Sequence, residues 1–373
     1  MTSPRLVREL LGVPFVPPAW VSRAVVAMRR RLAALHRGTA PASIRVLEGL
    51  FGLVDNRVLG LLVELDVPER LDRPRTSAEL AVAVDADEAN LERLLRYAAG
   101  RGFVRRDRRG RYRANDVTTI LRRDHTNSWR GWVEFAGSDW FWDAFRHLDA
   151  PVRGQGSGVE AATGRTFFDF VTDTRPDAGD AFNRAMAAGA AVQALALERA
   201  FDWSTVQTVC DVGGGTGATL EHLLGARPHL EGVLLDLPEV VAAARPALTA
   251  GELRGRCRIE GGSFFEPIPA GADRYLLLAI VHDWHDADAV RILCRVREAM
   301  GASARAVVVE GLVPERPRDE FVQASDLLMC ALATGRERTE AEFDALFAES
   351  GLGVVQRVRL ATGFVAFELE ARP

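Results

Sequence analysis

Apolar positions along the chain change their period, and the change divides it. Between residues 41 and 115 they recur every three or four residues, as on one face of a helix. "DNRVLGLLVELDVPERL" carries such a face. "TSAELAVAV" opens on an N-cap at Thr76 or Ser77 with Glu79 close behind, and "DEANLERLLRYAAGRGF" sets Leu91, Leu94, Leu95 and Ala98 on one side before Gly100 and Gly102. "VRRDRRGRYRAND" then alternates around a turn at Arg109-Gly110. Three helices and a hairpin predict a winged helix. Residues 116–195 stay helical and are rich in aromatics, from Trp129, Trp132, Phe135, Trp140, Phe141, Trp142 and Phe145 to Phe167, Phe168 and Phe170. Such a stripe serves either as core or as the lining of an apolar pocket. From about residue 196 strands and helices alternate. "TVQTVCDV", "GVLLD", "RCRIEGG", "DRYLLLAIV" and "ARAVVVEG" read as strands separated by helices, and "GVVQRVRL" with "GFVAFELE" as a closing hairpin. Continuous apolar runs fit strands buried on both faces, so this part is a doubly wound α/β domain. The predicted segments are an arm (1–40), a winged helix (41–115), a helical connector (116–195) and the α/β domain (196–373).

Length and charge narrow the field. A chain of 373 residues exceeds what one core serves, and a net charge of -4 gives no general reason to expect nucleic acid. All 47 basic residues are arginine, which removes Schiff-base lysine chemistry and a Walker phosphate lysine. Cys210, Cys257, Cys294 and Cys330 form no CxxC pair and read as thiols in a reducing cytosol. The first residues do not read as a signal peptide, and no apolar run reaches the 18 or so residues of a membrane helix. "AVVAMRRRLAALHR" is basic and amphipathic; it suits a membrane surface or, as we read it, packing on a partner subunit or the body. The wing arginines Arg105, Arg106, Arg108, Arg109, Arg111 and Arg113 invite a DNA-binding reading, against which stands a solvated hairpin.

Chemistry enters with "DVGGGTG", Asp211 to Gly217, which ends the first α/β strand and opens a helix. Gly213, Gly215 and Gly217 allow a tight turn and close approach of a ligand to free N–H groups. Gly213-x-Gly215-x-x-Ala218 also satisfies a dinucleotide fingerprint. Two features argue against one: the Asp211 carboxylate would repel a pyrophosphate, and "TGATLEHLL" offers no basic residue. Asp236 ends the second strand 19 residues after Gly217, where an acid pairs with ribose hydroxyls. A ligand with a ribose, a cationic amino end and no phosphate is S-adenosylmethionine. Further on, "IVHDWHDADAVRI" crowds His282, Asp283, His285 and Asp286 at the end of the fourth strand, where open α/β sheets place their active sites. These could bind metal, but no H-x-x-x-H spacing occurs and methyl transfer from a sulfonium needs no Lewis acid; no metal is expected. His285 should face solvent or cap the helix beginning near Asp286.

Taken together, "DVGGGTG", "LLDLPEVV", "GGSFFEPIP", "HDWHDADAVRIL", "VVVEGLVPE" and "GRERTEAEF" resemble the small-molecule O-methyltransferases related to plant caffeic acid O-methyltransferase and to bacterial polyketide O-methyltransferases, over about residues 45–370. The resemblance implies a class I methyltransferase domain, with a Rossmann-like doubly wound sheet, behind an N-terminal winged-helix dimerisation domain. It also implies a cytoplasmic homodimer engaging neither nucleic acid nor membrane, and a connector that lines the substrate pocket. Carried over by position, the cofactor residues are Arg165, Asp211, Gly213, Gly215, Asp236, Leu237, Ser263, Phe264 and Leu278, with Gly213 at the methionine part, Asp236 at the ribose and Arg165 at the carboxylate. The base is His282, bracketed by Glu310 and Glu337. Phe182, Met186, Asp283 and Asp326 fall near the acceptor. Two positions depart from the family: Ser263 stands where an adenine-binding Asp is usual, and Leu278 where a polar residue is usual. Relatives diverted to non-methyl chemistry typically lose the base, which this chain keeps. The remaining alternatives are such a diverted member and a DNA-binding regulator that senses S-adenosylmethionine.

Overall fold

The computed structural model describes residues 19–244, 246–316 and 321–372. The chain forms two compact units. One comprises residues 31–142 and 177–188; the other comprises 143–176, residues from 189 on, and the described residues up to Arg30.

In the first unit the helix Ala42–Glu64 buries Val58, Leu62 and Val63. It ends at Asp66, a non-glycine residue at φ 52. Arg130 supports that bend: its buried guanidinium donates to Val63 O and Asp66 Oδ1, both at 2.7 Å, and to Glu134 Oε1 at 2.8 Å. A buried arginine costs heavily unless its donors are met, and here carboxylates and a carbonyl meet them. Thr76 and Glu79 form the predicted capping box at the head of Ser77–Val84, and Asp87 caps Glu88–Gly100. The hairpin follows, β1 (Arg105–Arg106) against β2 (Tyr112–Arg113), antiparallel. In and beside the hairpin Arg106 pairs with Glu92 and Arg111 with Asp107, so acids of the same unit neutralise part of its charge. Phe135, 1% exposed, is an aromatic hub with ring centroids 5.3 Å from Trp140, 5.2 Å from Phe141 and 5.7 Å from Phe182. Phe135 and Trp140 are core, while Phe141 and Phe182 are partly exposed. They also explain why the predicted 116–195 connector divides between the units: residues 116–142 and 177–188 join this hub, and the rest goes to the α/β unit. Pro176–Ala200 is a single 25-residue helix, about 37 Å long, and takes part in both.

The second unit is built on one sheet. Its strands are β3 (Thr208–Val212), β4 (Glu231–Asp236), β5 (Cys257–Gly261), β6 (Arg274–Leu278), β7 (Arg305–Glu310), β8 (Leu352–Arg359) and β9 (Val365–Ala371), in the order β5-β4-β3-β6-β7-β9-β8. The first five pair in parallel, and β9 runs antiparallel to both β7 and β8. Cys210, Val233, Tyr275 and Leu277 face helices Asp286–Ala299 and Glu340–Glu349 on one side; Val209, Leu234, Leu276 and Val307 pack with Leu220, Leu223 and Leu224 of helix Ala218–Ala226 on the other. Burial on both faces accounts for the unbroken apolar runs. The strand order reverses at the β3–β6 pair, so loops leaving the carboxyl ends of these strands border an open crevice.

One predicted strand is too long. "DRYLLLAIV" was expected to run to Val281, but β6 stops at Leu278. Ala279 adopts φ 54, and Val281–Asp283 is a turn of 3-10 helix. Hydrophobicity alone could not reveal this, because Ile280 and Val281 stay in the core layer after the backbone has turned.

Candidate active site

The glycine loop leaves β3 with Gly213, Gly215 and Gly217 all at positive φ (71, 60 and 83). A Cβ on Gly213 would lie 2.6 Å from Ile280 Cδ1 and 3.4 Å from Phe264, and one on Gly217 would lie 2.2 Å from Leu248 Cδ1. Only glycine meets both demands. Asp236 organises the loop from the neighbouring strand: Gly215 N donates to Oδ2 and Leu237 N to Oδ1, both at 2.7 Å. Burial raises its pKa against the pull of these N–H groups. Asp211 lies wholly inside, and burial, with a smaller contribution from Asp236, pushes it up to about 7. Its Oδ2 is buried with no hydrogen-bond partner, an acceptor that a cationic amino group would satisfy.

Ser263 accepts from Phe265 N at 3.2 Å, so its hydroxyl shapes its own loop. Phe264 and Phe265 meet Trp284 edge-on at 5.7 and 4.8 Å, and Phe168 stacks on Trp284 at 5.5 Å. An aromatic wall thus adjoins the glycine loop. Leu278 closes β6 and packs on the sheet's second face. Arg165 is half exposed, 4.0 Å from Asp173. Phe182 and Met186 lie on Pro176–Ala200 in the part that belongs to the first unit.

Around His282 the predicted residues converge. Glu310, fully buried at the end of β7, accepts from Ile280 N at 3.2 Å and Val281 N at 2.7 Å through Oε1. The left-handed turn at Ala279 aims those two N–H groups at it. Its Oε2 lies 3.6 Å from His282 Nδ1. Glu337 Oε1 is closer, at 3.0 Å from Nδ1. A carboxylate only accepts, so Nδ1 carries a proton and Nε2 is the nitrogen that Glu337 does not hold. Asp283 Oδ1 lies 3.6 Å from Nε2. Burial would lower the pKa of His282, but Glu310 and Asp283, with the hydrogen bond to Glu337, overcome this and push it up to about 10. Burial also lifts Glu310 to about 7 and Asp283 to about 6. His282, Glu310 and Glu337 offer three atoms within 4.8 Å of one another, close enough for a cation, although Glu310 Oε1 is already committed to backbone N–H groups. His285 behaves as expected, capping Asp286–Ala299 through Nδ1 and pairing with Asp288.

Three residues of this site went unnoticed in sequence. Ser325 donates to Glu337 Oε1 at 2.8 Å. Arg338 binds the backbone of the His282 turn. Gly335 abuts that turn. The last two sit inside "GRERTEAEF", which was the available signal. Ser325, on Phe321–Leu332, carried none. Asp326, expected on the pocket wall, accepts from Glu337 N at 2.9 Å and so also braces the glutamate.

Known proteins resemble this chain. The O-methyltransferase domain model matches residues 145–353, and the O-methyltransferase dimerisation domain model residues 47–124. The chain is 38% identical over 328 residues to a mitomycin biosynthesis 6-O-methyltransferase of Streptomyces lavendulae, covering 87% of this chain and 93% of the relative. It is 34% identical over 304 residues to an 8-amino-8-demethylriboflavin N,N-dimethyltransferase of Streptomyces davaonensis, covering 80% and 86%. A solved O-methyltransferase from neocarzinostatin biosynthesis, in complex with S-adenosylmethionine and 2-hydroxy-5-methyl naphthoic acid, superposes with a TM-score of 0.72 at 31% identity, covering 87% of this chain and 98% of that one. With both domains matched and near full-length relatives at this identity, the chain belongs to the S-adenosylmethionine-dependent O-methyltransferase family.

Proposed function

We propose that this enzyme methylates a hydroxyl of an aromatic small molecule by direct displacement, with His282 as general base. The observation that carries the reading is the pinned imidazole: Nδ1–H is held on Glu337 at 3.0 Å and Nε2 is left for the acceptor. In the reaction the acceptor oxygen attacks the sulfonium methyl, the carbon–sulfur bond breaks to leave S-adenosylhomocysteine, and the hydroxyl proton passes to Nε2. Positioning the oxygen in line can supply several kcal/mol, and the base roughly 10²–10⁴-fold. A phenol has a pKa of about 10. An imidazolium raised to about 10 makes the proton transfer nearly even. Glu310 and Glu337 stabilise the imidazolium that forms, as a carboxylate does for a catalytic histidine.

The remaining assignments are part of the same proposal. Asp211, Gly213, Gly215, Asp236, Leu237, Ser263, Phe264 and Leu278 bind the donor, and Arg165 its carboxylate. Asp283 anchors the acceptor beside Nε2, and the family resemblance assigns Phe182, Met186 and Asp326 to the acceptor as well. The neighbour solved with 2-hydroxy-5-methyl naphthoic acid supports the substrate class. The N,N-dimethyltransferase relative makes an arylamine the second acceptor class to test. The dimerisation domain joins two copies, with the hairpin serving that unit as a winged helix. Its exposed face includes Leu50 and Phe51 at about three-fifths exposure, a patch that fits a second copy better than water. The cysteines are all free thiols and no described helix is long and apolar enough to cross a membrane, which fits the cytoplasm.

Labelled methyl from S-adenosylmethionine, offered with catechol, 1,4-dihydroxy-2-naphthoic acid and 2-aminophenol, tests the acceptor class. Transfer to oxygen supports the reading. Tight binding of S-adenosylhomocysteine without transfer to any hydroxyl acceptor counts against it and favours a diverted member of the family. His282→Ala should cut turnover about 10²-fold or more while leaving donor affinity within a few-fold; undiminished turnover would remove His282 as base.

A further inference from the structure

We infer that Arg338 is the positioning residue of the base, gripping the backbone on both sides of His282 while its neighbour Glu337 grips the ring; the inference builds on His282 as the base. Arg338 is completely buried. Its Nη1 donates to Val281 O at 3.0 Å and its Nη2 to Trp284 O at 2.7 Å. Nε and Nη2 both reach Asp286 Oδ1, at 3.0 and 2.8 Å, and Nη1 also reaches Arg336 O at 3.3 Å. Val281 and Trp284 bracket His282 and Asp283, so one planar fork spans the whole turn that carries the imidazole. The arginine is itself tied to the segment that follows β7, because Val313 N donates to Arg338 O at 3.0 Å.

Gly335, three residues earlier, closes the turn from another direction. A Cβ there would lie 2.0 Å from His282 O and 2.3 Å from the Asp283 carbonyl carbon. The turn therefore has no room to shift toward Gly335 and is held by rigid donors at Arg338. The ion pair alone does not call for this, since the Asp286 side chain is half exposed and a pair with an exposed partner contributes little. What the guanidinium supplies is a fixed fork that sets two carbonyls and a carboxylate in register, which an ammonium cannot reproduce. The ring has little slack: one hydrogen bond of 3.0 Å from Nδ1 to Glu337 defines both its tautomer and its direction.

Arg338→Lys keeps the charge beside Asp286 and removes the fork. The charged groups that face His282 are Glu310 from β7, Glu337 from the 335–338 segment and Asp283 from its own turn. None of them is altered, so a change in the ring reports geometry. The experiment is a nitrogen-15 titration of the histidine side chains in the full-length enzyme. The chain has seven histidines, and the His282 signal is the one lost in His282→Ala. In the wild type we expect an Nδ1-protonated ring that titrates above the ordinary histidine range. In Arg338→Lys, folded by circular dichroism and binding S-adenosylhomocysteine within about threefold, the titration should fall by about one unit or more and both tautomers should appear, because a ring released from Glu337 behaves as an ordinary imidazole. A folded Arg338→Lys whose His282 titration and tautomer match the wild type overturns the proposal. Should Arg338→Lys fail to fold, Asp286→Asn carries the test: it weakens the carboxylate that orients the fork, the same shift should appear at smaller size, and an unmoved ring overturns the proposal again. Turnover of His282→Ala judges the base reading separately, so either idea can fail while the other is read.

Discussion

Burial and charge act in opposition at His282. His282 is buried, which favours the neutral ring, yet its acidic neighbours hold it protonated until about pH 10. A base works only when neutral, so with the folded pKa raised, turnover should climb as pH rises above the ordinary histidine value of about 6.5. A profile of kcat between pH 6 and 10 checks this; a plateau reached by pH 7.5 would contradict it. Asp211 is raised as well, but here burial is itself the cause and Asp236 adds to it. Its folded pKa is raised by burial, so the native state holds its proton longer than the unfolded chain, and stability is lost as pH rises from about 4 toward 7. Asp211→Asn should therefore raise the melting temperature at pH 8 while weakening S-adenosylhomocysteine binding about tenfold, the scale of one charge-assisted hydrogen bond. Calorimetry in both modes measures the pair of effects. Because the proposed chemistry needs no Lewis acid, chelation with EDTA should leave turnover unchanged within error, even though three potential ligands stand close together. A loss restored by one divalent cation would reverse that reading.

The elements act through their ends. β6 supplies the core with Tyr275, Leu276 and Leu277 and then breaks at Ala279, and that break sends Ile280 N and Val281 N onto Glu310. Ala tolerates φ 54 at a cost, whereas a β-branched residue there is a true outlier. Ala279→Val should destabilise the enzyme by about 2 kcal/mol or more and lower kcat beyond what the folded fraction explains, since it loosens the turn carrying His282. Denaturant melts combined with kcat per folded molecule separate the two effects. The glycine loop obeys the same rule on the other side of the crevice. Gly213→Ala faces a left-handed penalty of roughly 1–2 kcal/mol and an overlap with Ile280, so donor affinity should fall at least tenfold while the sheet stays folded.

At the scale of the molecule, the first unit leaves apolar residues outside its core. Val46, Leu47, Leu50, Phe51 and Leu53 are all exposed along Ala42–Glu64. A face of this kind ordinarily marks an interface. If a second copy covers it, Leu50→Glu with Phe51→Glu should turn a dimer into a monomer in analytical ultracentrifugation without unfolding the α/β unit. A variant that sediments as the wild type would show that the face serves something else.

The period of the apolar residues by itself determined the α/β sheet and the helices with their hairpin, because burial on two faces or one leaves a local record in the chain, and the glycine motif marked the loop. The capping box at Thr76 and the helix start at His285 were equally local. The acidic partner at Asp236 was legible from its place at a strand end, whereas His282, Glu310 and Glu337 came together as a set only through the family resemblance that the motifs carry. What the residues around that triad do was not local. Ser325 and Asp326 converge on Glu337 from a helix some ten residues earlier, and Arg338 reaches back more than fifty residues to the turn of His282. The division of 116–195 between two units depended on which aromatics surround Phe135. The break after Leu278 was hidden, since Ile280 and Val281 are as apolar in a turn as in a strand. Periodicity records whether a side chain is buried; which distant partner it meets there is decided only when the chain closes on itself.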